Sequence, residues 1–100
     1  MNPPLPADLH IHTYYSDGTS SPDEVVAQAL SAGLGCIAVT DHDVLDGIRP
    51  TQSAAAASGL EIVPGIELSS ELDGRDIHLL GYFIDCGPGP LAERLSSIQR

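Results

Sequence analysis

The chain has no tryptophan and no lysine, and its aromatic residues are three tyrosines and one phenylalanine in 100 positions. Aliphatic and alanine side chains must therefore build the core, and a chain of this length builds a modest one. Four basic residues, all arginine, face fourteen acidic ones, for a net charge of −10. That balance excludes a basic nucleic-acid-binding surface, which needs clustered Lys or Arg against phosphates. It suits a site that gathers cations, and bound cations would reverse the local sign enough to admit an anionic substrate. No apolar run approaches the ~20 residues of a membrane span. Met1 to Pro6 has neither the basic nor the apolar region of a secretory signal. Only two cysteines occur. Cys36 sits in an apolar run and reads as core, while Cys86 sits in a Gly/Pro-rich stretch. With no CxxC pair and no disulfide framework, a reducing cytoplasm is the expected compartment.

What is present begins with Asp8-Leu9-His10-Ile11-His12. In a strand, alternate side chains share a face, so Asp8, His10 and His12 lie opposite Leu9 and Ile11, whose apolar face is expected on the core. Two histidines about 6–7 Å apart along a strand can close on one divalent ion, since neutral imidazole is a common metal ligand. The turn-like Tyr15-Ser16-Asp17-Gly18 returns a carboxylate over the same end. Tyr14 and Tyr15 read as loop residues packed on the surface.

The rest of the chain reads as βαβαβ followed by a hairpin, an α/β pattern with a largely parallel sheet. Strand one is Ala7–His12. Ser21, Pro22 and Glu24 make a capping box with proline at the first helical position, opening a helix over 22–32 with Val25, Val26, Ala29 and Leu30 as its apolar stripe and Gly33 as its stop. Cys36–Thr40 suits a strand buried on both faces. Pro50 fits the first turn of a second helix through the alanines at 54–57, ended by Gly59. Glu61–Leu68 is the third strand, and Pro64 and Gly65 suggest an irregular or edge segment. Asp73-Gly74 signals a hairpin joining 67–72 to 76–83. A last helix is expected from Leu91.

In parallel α/β folds the loops after the strands gather on one edge, where sites are built. All four histidines fall at, or pair with, that edge, together with Asp41 and Glu67. The hairpin pairing places His78 near Glu67 on one face. Mixed imidazole and carboxylate ligands suit Zn, Mn or Fe better than Ca. Asp8 reads as a residue that orients a histidine rather than a ligand.

Asp8-Leu9-His10-Ile11-His12-Thr13, Ser16-Asp17-Gly18, Thr40-Asp41-His42-Asp43, Pro64-Gly65-Ile66-Glu67-Leu68-Ser69 and His78-Leu79-Leu80-Gly81 occur in this order. This succession resembles the PHP (polymerase and histidinol phosphatase) family, and within it the stand-alone bacterial metal-dependent phosphoesterases. The resemblance implies a distorted TIM-like (βα) barrel holding two or three divalent metals. It implies that His10 and His12 hold one metal, that Glu67 bridges it to a second shared with His78, and that Asp17 and His42 hold a third. It implies hydrolysis of a phosphorylated small molecule, nucleotide or oligonucleotide by metal-activated water. Asp41 and Asp43 are candidates for orienting ligands or meeting substrate; Arg49 and Arg75 are the candidates near that edge for the phosphate, although each reads first as a salt-bridged surface arginine. Members of the family are more than twice this long and take further ligands from later strands. Residues 1–100 are therefore expected to be one unit, the N-terminal portion of such a domain, whose exposed sheet edge invites self-association. Two alternatives stand beside hydrolysis of phosphoesters: a non-catalytic metal-binding module, and an amidohydrolase, which also opens with His-x-His on its first strand.

Overall fold

The computed structural model describes residues 5–84, and Cys86 and the helix expected from Leu91 lie outside them. Four strands and two helices follow in the order β1 (Ala7–Ile11), α1 (Pro22–Ser31), β2 (Cys36–Val39), α2 (Ile48–Ala55), β3 (Glu61–Leu72) and β4 (Arg75–Tyr82). They form one sheet in the order β1-β2-β3-β4. The first three strands are parallel and β4 is antiparallel to β3. This is the α/β pattern of the sequence, curled as part of a barrel. The curl lets the Tyr82 hydroxyl, on one edge strand, donate to the Leu9 carbonyl on the other at 2.8 Å.

Local chemistry sets each boundary. At the start of α1, the Ser21 hydroxyl accepts from the Glu24 N–H at 3.2 Å and the Glu24 carboxylate accepts from the Ser21 N–H at 2.9 Å, with Pro22 where a helix needs no N–H. The helix stops because Gly33 takes φ +78°, which lets Gly33 N–H reach the Leu30 carbonyl and Leu34 N–H the Ala29 carbonyl, a Schellman closure. The β3–β4 turn is Asp73-Gly74 with φ of 53° and 75°, the type I′ geometry that matches strand twist.

Ile37, Ala38 and Val39 of β2 are wholly buried. Ile37 packs with Val25, Val26 and Ala29 of α1 and with Ala55 and Leu60. Val39 packs with Leu45, Ile48 and Ile66. Each of the buried Val, Leu and Ile side chains contributes about 1.5–3 kcal/mol through burial, and each alanine less.

Four expectations need correction. Leu30, placed on the core stripe of α1, is 44% exposed, because the contacts of that helix are made by Val25, Val26 and Ala29. Leu9 is 46% exposed: among the described residues β1 has a strand neighbour on one side only, and its pairing shifts register between Asp8 and Ile11. Cys36 is only partly buried at the start of β2. Pro64 does not mark an edge: β3 is central, twelve residues long, and paired on both sides. Its parallel pairing with β2 ends at Pro64, and its ladder with β4 begins at Gly65 opposite Tyr82. The missing N–H of Pro64 therefore falls at the junction of the two ladders, where it costs little.

Candidate metal centre

β1 and β2 deliver chemistry at their C-terminal ends, and β3 delivers it at Glu67, just past its parallel pairing with β2. Ile11 closes β1, and His12 follows it. After β2 the chain does not leave the sheet at once. Glu67 N–H donates to the Asp41 carbonyl and Asp43 N–H to the Glu67 carbonyl, each at 3.0 Å, so His42 and Glu67 form an isolated parallel bridge. Asp43 sits at φ 54°, a left-handed conformation that aspartate tolerates better than most residues, and its carboxylate accepts the Ser69 N–H at 3.0 Å. On the hairpin, Ser69 pairs with His78 and Glu67 with Leu80. Side chains two residues apart on a strand share a face, so Glu67 and His78 are diagonal neighbours.

Six side chains converge there. Glu67, 4% exposed, lies at the centre. Its Oε1 faces His10 Nε2 at 2.6 Å and His12 Nε2 at 2.9 Å, and its Oε2 meets His78 Nδ1 in a very short contact. His42 Nδ1 lies 3.7 Å from the same Oε2. The other ring nitrogen of His12 faces Asp17 Oδ1 at 2.6 Å, and Asp17 Oδ2 lies 3.1 Å from His42 Nε2. Three groups of potential ligands overlap: His10, His12 and Glu67; His12, Asp17 and His42; His42, Glu67 and His78. Within each, one donor atom per residue lies within 4.8 Å of the others.

The electrostatics follow from the contacts. Desolvation opposes ionisation of Glu67, but hydrogen bonds from His78, His10 and His12 and the nearby His42 hold its carboxyl down at about 2. Burial disfavours a charged His12, yet its hydrogen bonds to Glu67 and Asp17 outweigh this and raise the imidazole above 6.5. For Asp17, desolvation is the largest single influence and raises the carboxyl, but the His12 hydrogen bond and the charges of His12 and His42 together outweigh it, and the carboxyl is lowered. The donor set fits divalent ions. Two ligand atoms about 2.1 Å from one cation and near right angles to each other stand about 3 Å apart. The nitrogen–oxygen separations here are of that size. Four imidazoles and two carboxylates are also the mixed N/O set suited to Zn, Mn or Fe.

The other candidates lie elsewhere. Asp8 is exposed, accepts the His10 N–H at 3.1 Å, and lines a cavity of about 270 Å³ against α1. Arg49 is exposed at the second residue of α2 and Arg75 is exposed at the hairpin turn, and among the described residues neither forms a hydrogen bond or ion pair with the six. Asp43 meets Ser69. Asp41, 1% exposed, faces Thr13 and Ser16. Tyr14 and Tyr15 are 54% and 41% exposed and stack edge to face on each other at 5.0 Å. Reading the sequence as a list of ligands missed Thr13, Ser16 and Ser69, whose hydroxyl lies 3.4 Å from His42 Nδ1. Ser69 had a signal, since it follows Glu67 by two residues on a strand and so shares its face.

A parallel strand-and-helix half-barrel with histidines and carboxylates gathered at its strand ends defines a class, the metal-site proteins of barrel type. Comparison with known proteins resolves the class. The model of the PHP domain matches residues 8–89, and the chain belongs to that family. It is 41% identical over 78 residues to a 5′-3′ exoribonuclease of Haemophilus influenzae, an alignment covering 78% of this chain and 28% of that protein. It is 36% identical over 92 residues to a 3′,5′-nucleoside bisphosphate phosphatase of Chromobacterium violaceum, covering 92% and 32%. A solved structure from C. violaceum, described as an amidohydrolase, superposes with a TM-score of 0.86 at 36% identity, also covering 92% and 32%. The chain thus spans about a third or less of the length of these relatives. Among the described residues, no helix is long and apolar enough to cross a membrane.

Proposed function

We propose that this chain is the N-terminal, metal-holding portion of a phosphoesterase that hydrolyses phosphate esters of nucleotides or oligonucleotides. The observation that carries the reading is the convergence of His10, His12, Asp17, His42, Glu67 and His78 into three groups sharing His12, His42 and Glu67. Overlapping ligand groups suit a cluster of two or three ions rather than one. The ions we assign are Mn, Zn or Fe, and when bound they supply Lewis acidity for activating water and neutralising charge on phosphate oxygens. The residues of the chain hold and orient. Glu67, buried and kept ionised by three histidines, presents one oxygen to the His10–His12 side and the other to the His42–His78 side. Asp17, exposed, completes the solvent-facing side. No serine or cysteine nucleophile is needed. The names of the relatives, an exoribonuclease and a nucleoside bisphosphate phosphatase, support phosphoesters of nucleotides as the substrate class.

The test is metal content and phosphate release. The full chain, purified without chelator, should carry two or more divalent ions and release inorganic phosphate from a nucleoside 3′,5′-bisphosphate. His42→Ala, which touches two of the three groups, should lower the metal content. Unchanged stoichiometry in that variant would refute the ligand assignment. Metal without turnover of any phosphoester favours a metal-binding module. The solved structure described as an amidohydrolase favours a second reading, amide hydrolysis, and release of an amine rather than phosphate would select it.

A further inference from the structure

We propose that Asp41 is a positioning residue: its buried carboxylate holds the loop between His12 and Asp17 so that Asp17 stays within the His12–Asp17–His42 group. The proposal rests on the reading of that group as a metal site. Asp41 Oδ1 accepts the Thr13 N–H at 2.6 Å and the Ser16 hydroxyl at 2.7 Å, and Oδ2 accepts the Thr13 hydroxyl at 2.7 Å. Thr13 is itself fully buried, and its hydroxyl oxygen accepts the Tyr15 N–H at 3.2 Å. The carboxylate of Asp41 thus grips a segment that carries a candidate ligand at each end. Its backbone carbonyl meanwhile accepts the Glu67 N–H, and His42 is the next residue. One residue therefore ties the ends of β1 and β2 to the middle of β3.

Two features mark this as more than a buried polar contact. A buried carboxylate without a cationic partner is costly unless several donors converge on it, so a core position with no other duty is better filled by an apolar residue. The surroundings are also shaped for it. A Cβ at Gly47 would lie 2.5 Å from Asp41 Oδ2 and 2.6 Å from Thr13 Oγ1, so only glycine lets the start of α2 close over the network. An amide in place of the carboxylate would turn one acceptor into a donor. Facing the Thr13 hydroxyl, whose oxygen already takes the Tyr15 N–H, it would leave the Thr13 proton without an acceptor.

The experiment titrates the full chain with Zn²⁺ alone, by calorimetry and by metal content after desalting. Asp41→Asn and Ser16→Ala should weaken one ion about 10–100-fold, the range for residues that orient metal ligands, and leave the remaining Zn²⁺ in place. Thr13→Ser, which keeps the hydroxyl, should bind as the parent does, and Thr13→Val should not. Ile48→Val, a core change outside the network, should lower thermal stability without altering the titration. If Asp41→Asn does not fold, Ser16→Ala decides, since it removes one hydroxyl from a loop. An unchanged titration in the folded network variants, or an equal loss in Ile48→Val at equal loss of stability, would overturn the positioning role. A parent chain that binds no Zn²⁺ would overturn the metal reading itself, and the proposal with it.

Discussion

Glu67 shows how much one residue can hold. It is a carboxylate in the middle of a central strand, 4% exposed, in a place where an unpaired charge would be severely penalised. Three histidine nitrogens contact its two oxygens, and a fourth lies within 3.7 Å. It belongs to two of the three ligand groups, whereas His10, Asp17 and His78 each belong to one. Glu67→Gln keeps the shape and removes the charge. The expected outcome is a loss of metal affinity of at least about tenfold, larger than for His10→Ala, because changes merely to residues behind a ligand already cost that much. Competition against a chromophoric chelator would measure it, and equal losses in the two variants would count against a bridging role.

At the scale of the element, α1 is held by its ends. The Ser21–Glu24 box satisfies donors at the start, and Gly33 closes the last turn. Ser21→Ala should lower stability by about 1 kcal/mol, as losses of such caps do, and chemical denaturation would show it. Glu24 adds a dependence on pH. Its carboxyl is lowered from 4.5, first by the Ser21 N–H and then by the Ser21 hydroxyl. A group whose pKa is depressed on folding stabilises the fold above its unfolded value, and the contribution fades as pH falls through the folded value. Glu24→Gln should therefore be less stable than the parent near neutral pH, and the gap should close as pH drops below 4.5. A gap that widened on acidification would show that the carboxylate does not stabilise the cap. β3 makes the complementary point: its first third pairs in parallel and the rest antiparallel, so one strand joins the α/β layer to the hairpin and carries Glu67 just past the join.

At the scale of the whole molecule, β1 and β4 each have a strand neighbour on one side only among the described residues. Leu9, Leu72, Leu79 and Phe83 are 46% to 78% exposed on these edge strands or beside them. Unpaired backbone beside apolar side chains favours edge-to-edge pairing. The full chain should self-associate with rising concentration in sedimentation velocity, and Leu9→Lys should reduce the effect, because a charged lysine at an edge opposes strand addition. A chain that stays monomeric at all concentrations would remove this expectation.

The elements are legible in the order of residues alone, because their signals are local. Ser21-Pro22-Asp23-Glu24, Gly33 and Asp73-Gly74 act within one or two turns of chain, and the continuous apolar run at 36–39 identifies a strand buried on both faces. The order of motifs also named the family. The exposures of Leu9 and Leu30 were not legible, since apolar spacing says which residues share a face and not whether a neighbour covers it. Nor was the centrality of β3: Pro64 argues for an edge wherever its missing N–H would face a partner, and only the pairing shows that it falls between two ladders. The convergence of His10, His12, Asp17, His42, Glu67 and His78 is likewise a tertiary fact. It depends on the bridge between His42 and Glu67, residues 25 positions apart, and on the register that sets His78 diagonal to Glu67. The role of Asp41 belongs there too, because a buried acceptor is defined by the donors that folding brings to it, and those come from a loop 25 to 28 residues earlier in the chain.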